Sequence, residues 1–100
     1  MQIKWVVRVK SKTVKDLGNP KKIPSQVANE AYILFKELAA FGPAVYRPNY
    51  GKLRNQGKGI DRRHCHLRKG KPTWVACWEV ESENYIIEVY YVGTHEKAPY

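Results

Sequence analysis

The segment from Ile60 to Val80, IDRRHCHLRKGKPTWVACWEV, decides the fold because its pattern is that of a β-hairpin. Two strand-like runs flank Gly70-Lys71-Pro72, and glycine and proline at such a point are typical of a turn. We therefore predict strands over about Arg62–Lys69 and Thr73–Glu81. A third strand, over Asn84–Val92 after a short turn, completes an antiparallel meander.

The register of this hairpin separates the tryptophans from the histidines. A two-residue turn at Gly70-Lys71 places His66 opposite Val75 and Leu67 opposite Trp74, and paired residues share one face of a sheet. The same alternation extends onto the third strand. The predicted tryptophan face contains Cys65, Leu67, Trp74, Ala76, Trp78, Ile87, Val89 and Tyr91. The predicted histidine face contains His64, His66, Arg68, Val75, Cys77, Glu79, Glu88, Tyr90 and Val92.

The N-terminal part of the chain supplies a strand and two helices. The strand is predicted where four apolar residues alternate with mostly polar ones: Ile3, Trp5, Val7 and Val9. Ser11–Leu17 is predicted to form one or two helical turns before a Gly-Asn-Pro breaker. A long helix is predicted from Pro24 to Gly42. Its apolar residues recur at helical spacing and are Val27, Ala31, Leu34 and Leu38.

Together these elements predict one α+β domain over residues 1–100. The N-terminal strand and the two helices are expected to pack on one face of an antiparallel sheet of about four strands. The helices are placed on the tryptophan face, which leaves the histidine face open. The connection Ala44–Ile60 is rich in Gly, Pro, Asn and basic residues, and is predicted to be a loop or a partly ordered arm.

Positive charge is concentrated in one part of the chain. The protein has 18 Lys and Arg against 9 Asp and Glu, a net charge of +9. The segment Arg47–Lys71 holds nine of the basic residues and a single acid, Asp61. This distribution is the expected footprint of RNA or DNA phosphates, the alternative being a solvated surface that aids solubility.

The cysteines and the hydropathy bear on the cellular compartment. Cys65 and Cys77 are the only two cysteines, they lie on opposite predicted faces, and a disulfide-dependent secreted domain normally has more. No apolar run has the length of a membrane span. We therefore expect a cytoplasmic protein with free thiols and no membrane partner.

The order of strand, short helix, long helix and meander resembles the RelE/ParE superfamily of bacterial toxins. The resemblance rests on SKTVKDL at Ser11–Leu17, HLRKGKPTWVACWEV at His66–Val80 and YYVGTHEKAPY at Tyr90–Tyr100. It implies a type II toxin that cleaves mRNA without a metal, in the ribosome, and that a cognate antitoxin neutralises in a hetero-oligomer. A ParE-like inhibitor of DNA gyrase and a non-catalytic RNA-binding or ribosome-binding module are the alternatives.

The resemblance also assigns candidate catalytic residues. His64 and His66 occupy the positions of two family lysines, His95 or Lys97 the basic position after the terminal glycine, and Tyr100 the late tyrosine. The family's middle-strand arginine is replaced by Val75. Histidine can act as base or acid near neutral pH. We expect His66 and His95 to share these roles, Arg68 and Lys97 to stabilise charge, and Tyr100 to orient or stack on a base.

Further residues are expected to bind RNA through charge or stacking, namely Lys52, Arg54, Lys58, Arg62, Arg63, Lys69, Lys71 and Tyr90. The three histidines, with Cys77 or Glu88, offer a zinc site as an alternative. The absence of a CxxC motif and of a second Cys/His pair disfavours that site, so no metal and no cofactor are expected.

Overall fold

A computed structural model describes residues 4–100 and contains a five-stranded sheet with two helices. The strand order is β1-β5-β4-β3-β2. The bounds are β1 Val6–Val9, α1 Ser11–Leu17, α2 Ser25–Phe41, β2 Gly51–Lys52, β3 Arg62–Arg68, β4 Trp74–Glu81 and β5 Ile86–Thr94. Short 3-10 turns follow β4 at Ser82–Asn84 and β5 at His95–Lys97. The predicted strand residue Ile3 lies outside the described residues.

The long helix α2 forms and packs as its sequence predicts. Pro24 precedes its first turn, where a missing N–H costs nothing. The helix ends at Phe41 and is capped by Gly42, which has a φ of 96° and donates its N–H to the Leu38 carbonyl at 2.9 Å. A side chain at this glycine would meet the Trp5 indole. The four residues of the predicted stripe are all buried.

The sheet differs from the prediction in strand number and in one strand direction. We expected about four antiparallel strands, whereas β1 pairs with β5 in parallel, with Val6 beside Ile86 and Val9 beside Val89. The two-residue strand β2 adds to the β3 edge by pairing Gly51 with His64. Alternation in a sequence reports which face a residue occupies, but it does not report the partner strand or its direction. The α+β class itself is confirmed.

The β3–β4 hairpin keeps the predicted register until its last residues. His66 pairs with Val75 and Cys65 with Ala76, as expected, but a bulge then pairs Arg68 with Trp74 in place of Leu67. Leu67 remains in the core. The prediction that Arg68 lies on the histidine face is wrong, because the extra residue shifts the alternation at the end of the strand.

A second bulge changes the faces of β5. Trp78 pairs with Val89 but Cys77 pairs with Tyr91, so Tyr90 is the extra residue. Beyond it, Val92 lies in the core and Tyr91 shares the side of Cys77. The predictions for Val92 and Tyr91 are therefore both wrong, for the same physical reason. Ile87 and Val89 before the bulge are buried as predicted.

The core lies between the helices and the tryptophan face. Trp78 is fully buried and donates its indole N–H to the Pro43 carbonyl at 3.1 Å. Cys65 and Cys77 are buried free thiols, as expected. The histidine face is partly covered by its own polar side chains, because Val75 and Cys77 on this face are fully buried. No helix within residues 4–100 is long and apolar enough to cross a membrane.

Candidate active site

Four of the predicted catalytic residues meet on the histidine face, and we call them the histidine cluster: His64, His66, His95 and Tyr100. The ring centroids of His66 and His95 are 5.6 Å apart. Tyr100 lies 5.1 Å from His64 and 5.8 Å from His95. The resemblance predicted these positions, and the fold brings them together from two segments distant in sequence.

The backbone explains why the two segments meet. Alternation along β3 points His64 and His66 to the same side. The turn after β5 is fastened to the start of β4, since the His95 N–H donates to the Thr73 carbonyl at 2.8 Å. The chain then folds back, with the Tyr100 N–H bonded to the Ala98 carbonyl at 2.9 Å.

Burial and mutual repulsion hold the strand histidines neutral. Burial lowers the pKa of His64, and Coulomb repulsion between imidazolium charges in the cluster, from His66 and His95, lowers it further. Burial also lowers the pKa of His66, with added repulsion from His95 and Lys69. Both imidazoles are therefore neutral near pH 7 and able to accept a proton. Burial raises the pKa of the Tyr100 hydroxyl.

Cys77 lies under the cluster but is not a nucleophile. It pairs with His64 across the β3–β4 ladder, an arrangement that would suit a thiol and imidazole pair. Burial, however, raises the pKa of its thiol to about 12, so the reactive thiolate is not formed near neutral pH. Its small side chain fills the sheet surface below the rings.

A groove of about 670 Å³ opens beside two members of the cluster, His66 and His95. The hairpin turn forms its opposite wall with Gly70, Lys71 and Pro72. His64 lies outside this groove, and its Nδ1 is buried without a hydrogen-bond partner among the described residues. His66 and His95 are thus the two histidines that line this groove.

The groove contains one acid that our sequence reasoning missed. Glu96 lines it directly after His95. The position of Glu96 next to a candidate catalytic histidine was the one signal in the sequence. That signal is weak, because glutamates are common in exposed polar tails. Lys71, predicted to bind RNA, is the cation among the described lining residues.

Two predicted catalytic cations lie away from the cluster. The bulge turns Arg68 towards α2, where its guanidinium donates to the Gln26 amide oxygen at 2.8 Å. Lys97 is in the same 3-10 turn as His95 but lines a separate cleft against α1. Residues two apart in a 3-10 turn point in different directions, which separates the two side chains.

The predicted RNA-binding arginines of β3 are engaged inside the protein. Arg62 donates to the Glu79 carboxylate at 2.8 Å and lies 4.8 Å over the Tyr90 ring. Arg63 binds Asp61 through two hydrogen bonds, of 2.9 and 3.0 Å. The hydrogen bond from Arg63 holds the pKa of Asp61 below its usual range. Both guanidiniums therefore stabilise the fold, and little of their charge is free for a partner.

The other predicted RNA-binding residues differ in exposure. Tyr90 is only partly exposed beneath Arg62, and burial raises the pKa of its hydroxyl. Lys52 is exposed but lies 3.8 Å from Asp61. The remaining members of the set are exposed and form no ion pair among residues 4–100: Arg54, Lys58, Lys69 and Lys71.

The histidine cluster also bears on the alternative of a zinc site. In the part of the chain that the structure describes, no group of three or more His, Cys, Asp or Glu residues is arranged to hold a metal ion. Glu88, one suggested ligand, lies 3.9 Å from the Lys10 ammonium.

The fold is shared with solved structures of toxins. It matches a chain of the archaeal RelE–RelB complex from Pyrococcus horikoshii with a TM-score of 0.72 at 16% identity, covering 96% of this chain and 100% of that one. A chain of the E. coli DinJ–YafQ toxin–antitoxin complex matches with a TM-score of 0.68 at 17% identity, covering 98% and 100%. A metal-bound toxin from Helicobacter pylori matches with a TM-score of 0.59 at 20% identity, covering 93% and 97%.

Sequence comparison alone gives no such match. No protein-family model matches the chain. No curated protein matches it either. Structural similarity at this level of identity describes the fold and leaves activity to be argued from the site. The chain therefore has the fold of RelE-like toxins, as the resemblance in its sequence predicts.

Proposed function

We propose that this protein is the toxin of a type II toxin–antitoxin pair and that it cleaves mRNA without a metal, on the ribosome. The observation that carries the proposal is the pairing of His66 and His95, 5.6 Å apart between ring centroids, in the wall of one open groove. Two imidazoles at this spacing can reach atoms of the same phosphodiester. The shared fold with chains of toxin–antitoxin complexes adds support.

The chemistry follows from the RNA itself. One imidazole takes the proton of a 2′-hydroxyl, and the 2′-oxygen attacks the adjacent phosphorus. The bond from phosphorus to the 5′-oxygen breaks, and that oxygen takes a proton from the second imidazole. The products are a 2′,3′-cyclic phosphate and a 5′-hydroxyl. His66 is assigned as the base because its lowered pKa keeps it neutral, and His95 as the acid.

Charge in the transition state requires a cation near the phosphate. Arg68 and Lys97 were expected in this role from the sequence, but their positions favour Lys71, which lines the groove with both histidines. Tyr100, packed edge-on against His95, is assigned to orient the substrate or to stack on a base. His64 supports Tyr100 from below and keeps the cluster in place.

The proposed partners follow from charge and exposure. Binding of mRNA and ribosome is assigned to the exposed cations near the groove and along the loop before β3, which are Arg54, Lys58, Lys69 and Lys71. The cognate antitoxin is expected to cover the histidine face with an acidic and apolar segment, since such a segment matches both the charge and the rings.

Growth arrest and mRNA cleavage test the proposal together. Wild type, His66→Ala and the control Lys36→Ala, which changes an exposed residue of α2, are each induced, and a reporter mRNA is mapped by primer extension. We expect arrest with new cleavage sites for wild type and control, and neither for His66→Ala. Arrest without cleavage would favour gyrase inhibition or plain ribosome binding, and cleavage that persists in His66→Ala would remove the assigned base.

A further inference from the structure

A second basic cleft, of about 360 Å³, lies between α1, the connection to α2 and the end of β5. We call it the lysine cleft after its four lysines, Lys12, Lys21, Lys22 and Lys97. Asp16 is the only acid among the described residues that line it, and it pairs with Lys22 at 3.3 Å. The other three lysines are exposed and form no ion pair within residues 4–100.

Two aromatic residues contribute to the wall of the lysine cleft, from opposite faces of the sheet. Trp74 packs on the core with part of its indole accessible, and Tyr91 lines the cleft from the side of Cys77. The Tyr91 hydroxyl donates to the Thr94 carbonyl at 2.7 Å, and its ring lies where a side chain at Gly93 would be. The wall is therefore held in place before any ligand arrives. Rings that stack on bases, bordered by cations that bind phosphates, are characteristic of single-stranded nucleic-acid sites.

The lysine cleft adjoins the groove of the histidine cluster. Thr73 and His95 line the groove, while their chain neighbours Trp74 and Thr94 line the cleft. Trp74 and Thr94 pair across β4 and β5, and His95 is bonded to Thr73, so the two sites share one wall. The final 3-10 turn presents His95 to one side and Lys97 to the other. An extended ligand that runs from the groove across this turn would therefore enter the cleft.

We propose that the lysine cleft binds the phosphodiester backbone and one base of the RNA strand whose cleaved phosphate lies in the groove. The identity of the strand as the cleaved RNA rests on the proposed function. The ability of the cleft to bind a nucleic acid rests on its lysines and aromatic rings. An extended peptide along the β5 edge is the other conceivable occupant. Three lysines in one cleft that form no ion pair among the described residues favour a polyanion over a peptide.

Binding of uncleavable RNA of two lengths tests the inference. The probes are labelled 2′-O-methyl oligonucleotides, a trinucleotide that fits the groove and a strand of roughly 12 nucleotides that reaches beyond it. Affinity is measured by fluorescence anisotropy over a range of salt. The test variant is Lys12→Glu/Lys21→Glu/Lys97→Glu. The matched control, Lys4→Glu/Lys15→Glu/Lys36→Glu, makes the same change of charge at exposed lysines outside the cleft.

We expect the cleft variant to bind the long strand about tenfold more weakly than the control does, with a salt slope lower by about 2 because three phosphate contacts are lost. The trinucleotide should bind both variants equally. Quenching of tryptophan fluorescence by the long strand should disappear in Trp74→Phe. Equal losses in the two charge variants, or quenching that survives in Trp74→Phe, would overturn the assignment.

The two proposals fail in different ways in these experiments. If the cleft variant loses long-strand affinity while wild type cuts no mRNA, the cleft stands as an RNA site and the nuclease proposal fails. If wild type cuts mRNA at sites that need His66 while both charge variants bind alike, the nuclease stands and the cleft assignment fails.

Discussion

Strand β3 begins with two arginines and continues with two histidines, and the fold places these two groups of basic residues in different surroundings. At the start of the strand, Arg62 and Arg63 are held by Glu79 and Asp61 in short hydrogen bonds. Further along the strand, His64 and His66 have no carboxylate partner within the described residues, and their rings contact Tyr100 and His95. A basic run in a sequence therefore overstates the charge available to a partner, and the proposed chemistry is assigned to the part of the strand whose polar groups have no ion-pair partner among the described residues.

The largest effect is expected at the histidines. His66→Ala and His95→Ala should each lower the single-turnover rate of mRNA cleavage on programmed ribosomes by roughly 100-fold to 10,000-fold, the range for loss of a general base or acid. The double variant should be little worse than either single one, because the two rings act as a unit.

The control for this prediction is the free energy of unfolding of each variant, which shows whether the loss of activity reflects a loss of the folded state. Both single variants should unfold within about 0.5 kcal/mol of wild type, because His95 is exposed and neither ring forms an ion pair among residues 4–100. Additive losses in the double variant, or a large loss of stability, would mean that the histidines do not form one catalytic unit.

The second-largest effect is a loss of folding stability, and it is expected at the start of β3, where the two arginines lie. Arg63→Met should lower the free energy of unfolding by about 2 kcal/mol, because it leaves the Asp61 carboxylate and the Tyr50 hydroxyl without their charged donor. Chemical denaturation measures the change. Arg54→Met, at an exposed position that forms no ion pair with any described residue, is the matched control and should stay within about 0.5 kcal/mol. Equal effects of the two would refute the structural role of Arg63.

A smaller effect is expected for Arg62→Met. This arginine pairs with Glu79 and covers Tyr90, but the side chains of Arg62 and Glu79 are 34% and 40% exposed, so solvent screens the pair. We expect a loss of about 1 kcal/mol, the sum of a weak ion pair and a cation–π contact. A loss as large as that of Arg63→Met in the same denaturation assay would show that the two arginines are equally essential.

The smallest effect is a pH dependence of stability that arises from the histidines of β3. The pKa values of His64 and His66 are lowered on folding, so the unfolded chain binds protons more readily and stability is lost as pH falls below about 6.5. Asp61 acts in the same direction but only below its usual value of 3.8. Denaturation at several pH values measures the slope. His64→Gln/His66→Gln should flatten it near pH 6, and an unchanged slope would contradict the lowered pKa values.

The sequence predicted the parts of the fold that depend on alternation and turn residues. The β3–β4 register and the limits of α2 follow from local patterns that tertiary packing reinforces. The bulge at Leu67 could not be predicted from the sequence, because the polar and apolar residues His66, Leu67 and Arg68 alternate as in a regular strand. The bulge at Tyr90 is visible in the sequence, because Val89 and Val92 are three residues apart and could not both face the core if the strand were regular.

The candidate site was predictable in part. An HxH pair on a strand places His64 and His66 together by geometry alone, whereas the position of His95 came only from the resemblance. The lysine cleft was not visible, because Lys12 and Lys21 come from the basic N-terminal part of the chain whereas Lys97 comes from the acidic C-terminal part, and no local pattern links them. Residues that meet only through the fold leave no local pattern in the sequence.

The most direct test of the central claim is the chemistry of the cut on programmed ribosomes, with an mRNA that carries a single 2′-deoxynucleotide on the 5′ side of the cleaved phosphate. We predict that the unmodified mRNA gives a 2′,3′-cyclic phosphate and a 5′-hydroxyl, and that the 2′-deoxy substrate is not cut at that position. Cleavage that persists without the 2′-hydroxyl, or that leaves a 5′-phosphate, would contradict the roles assigned to His66 and His95.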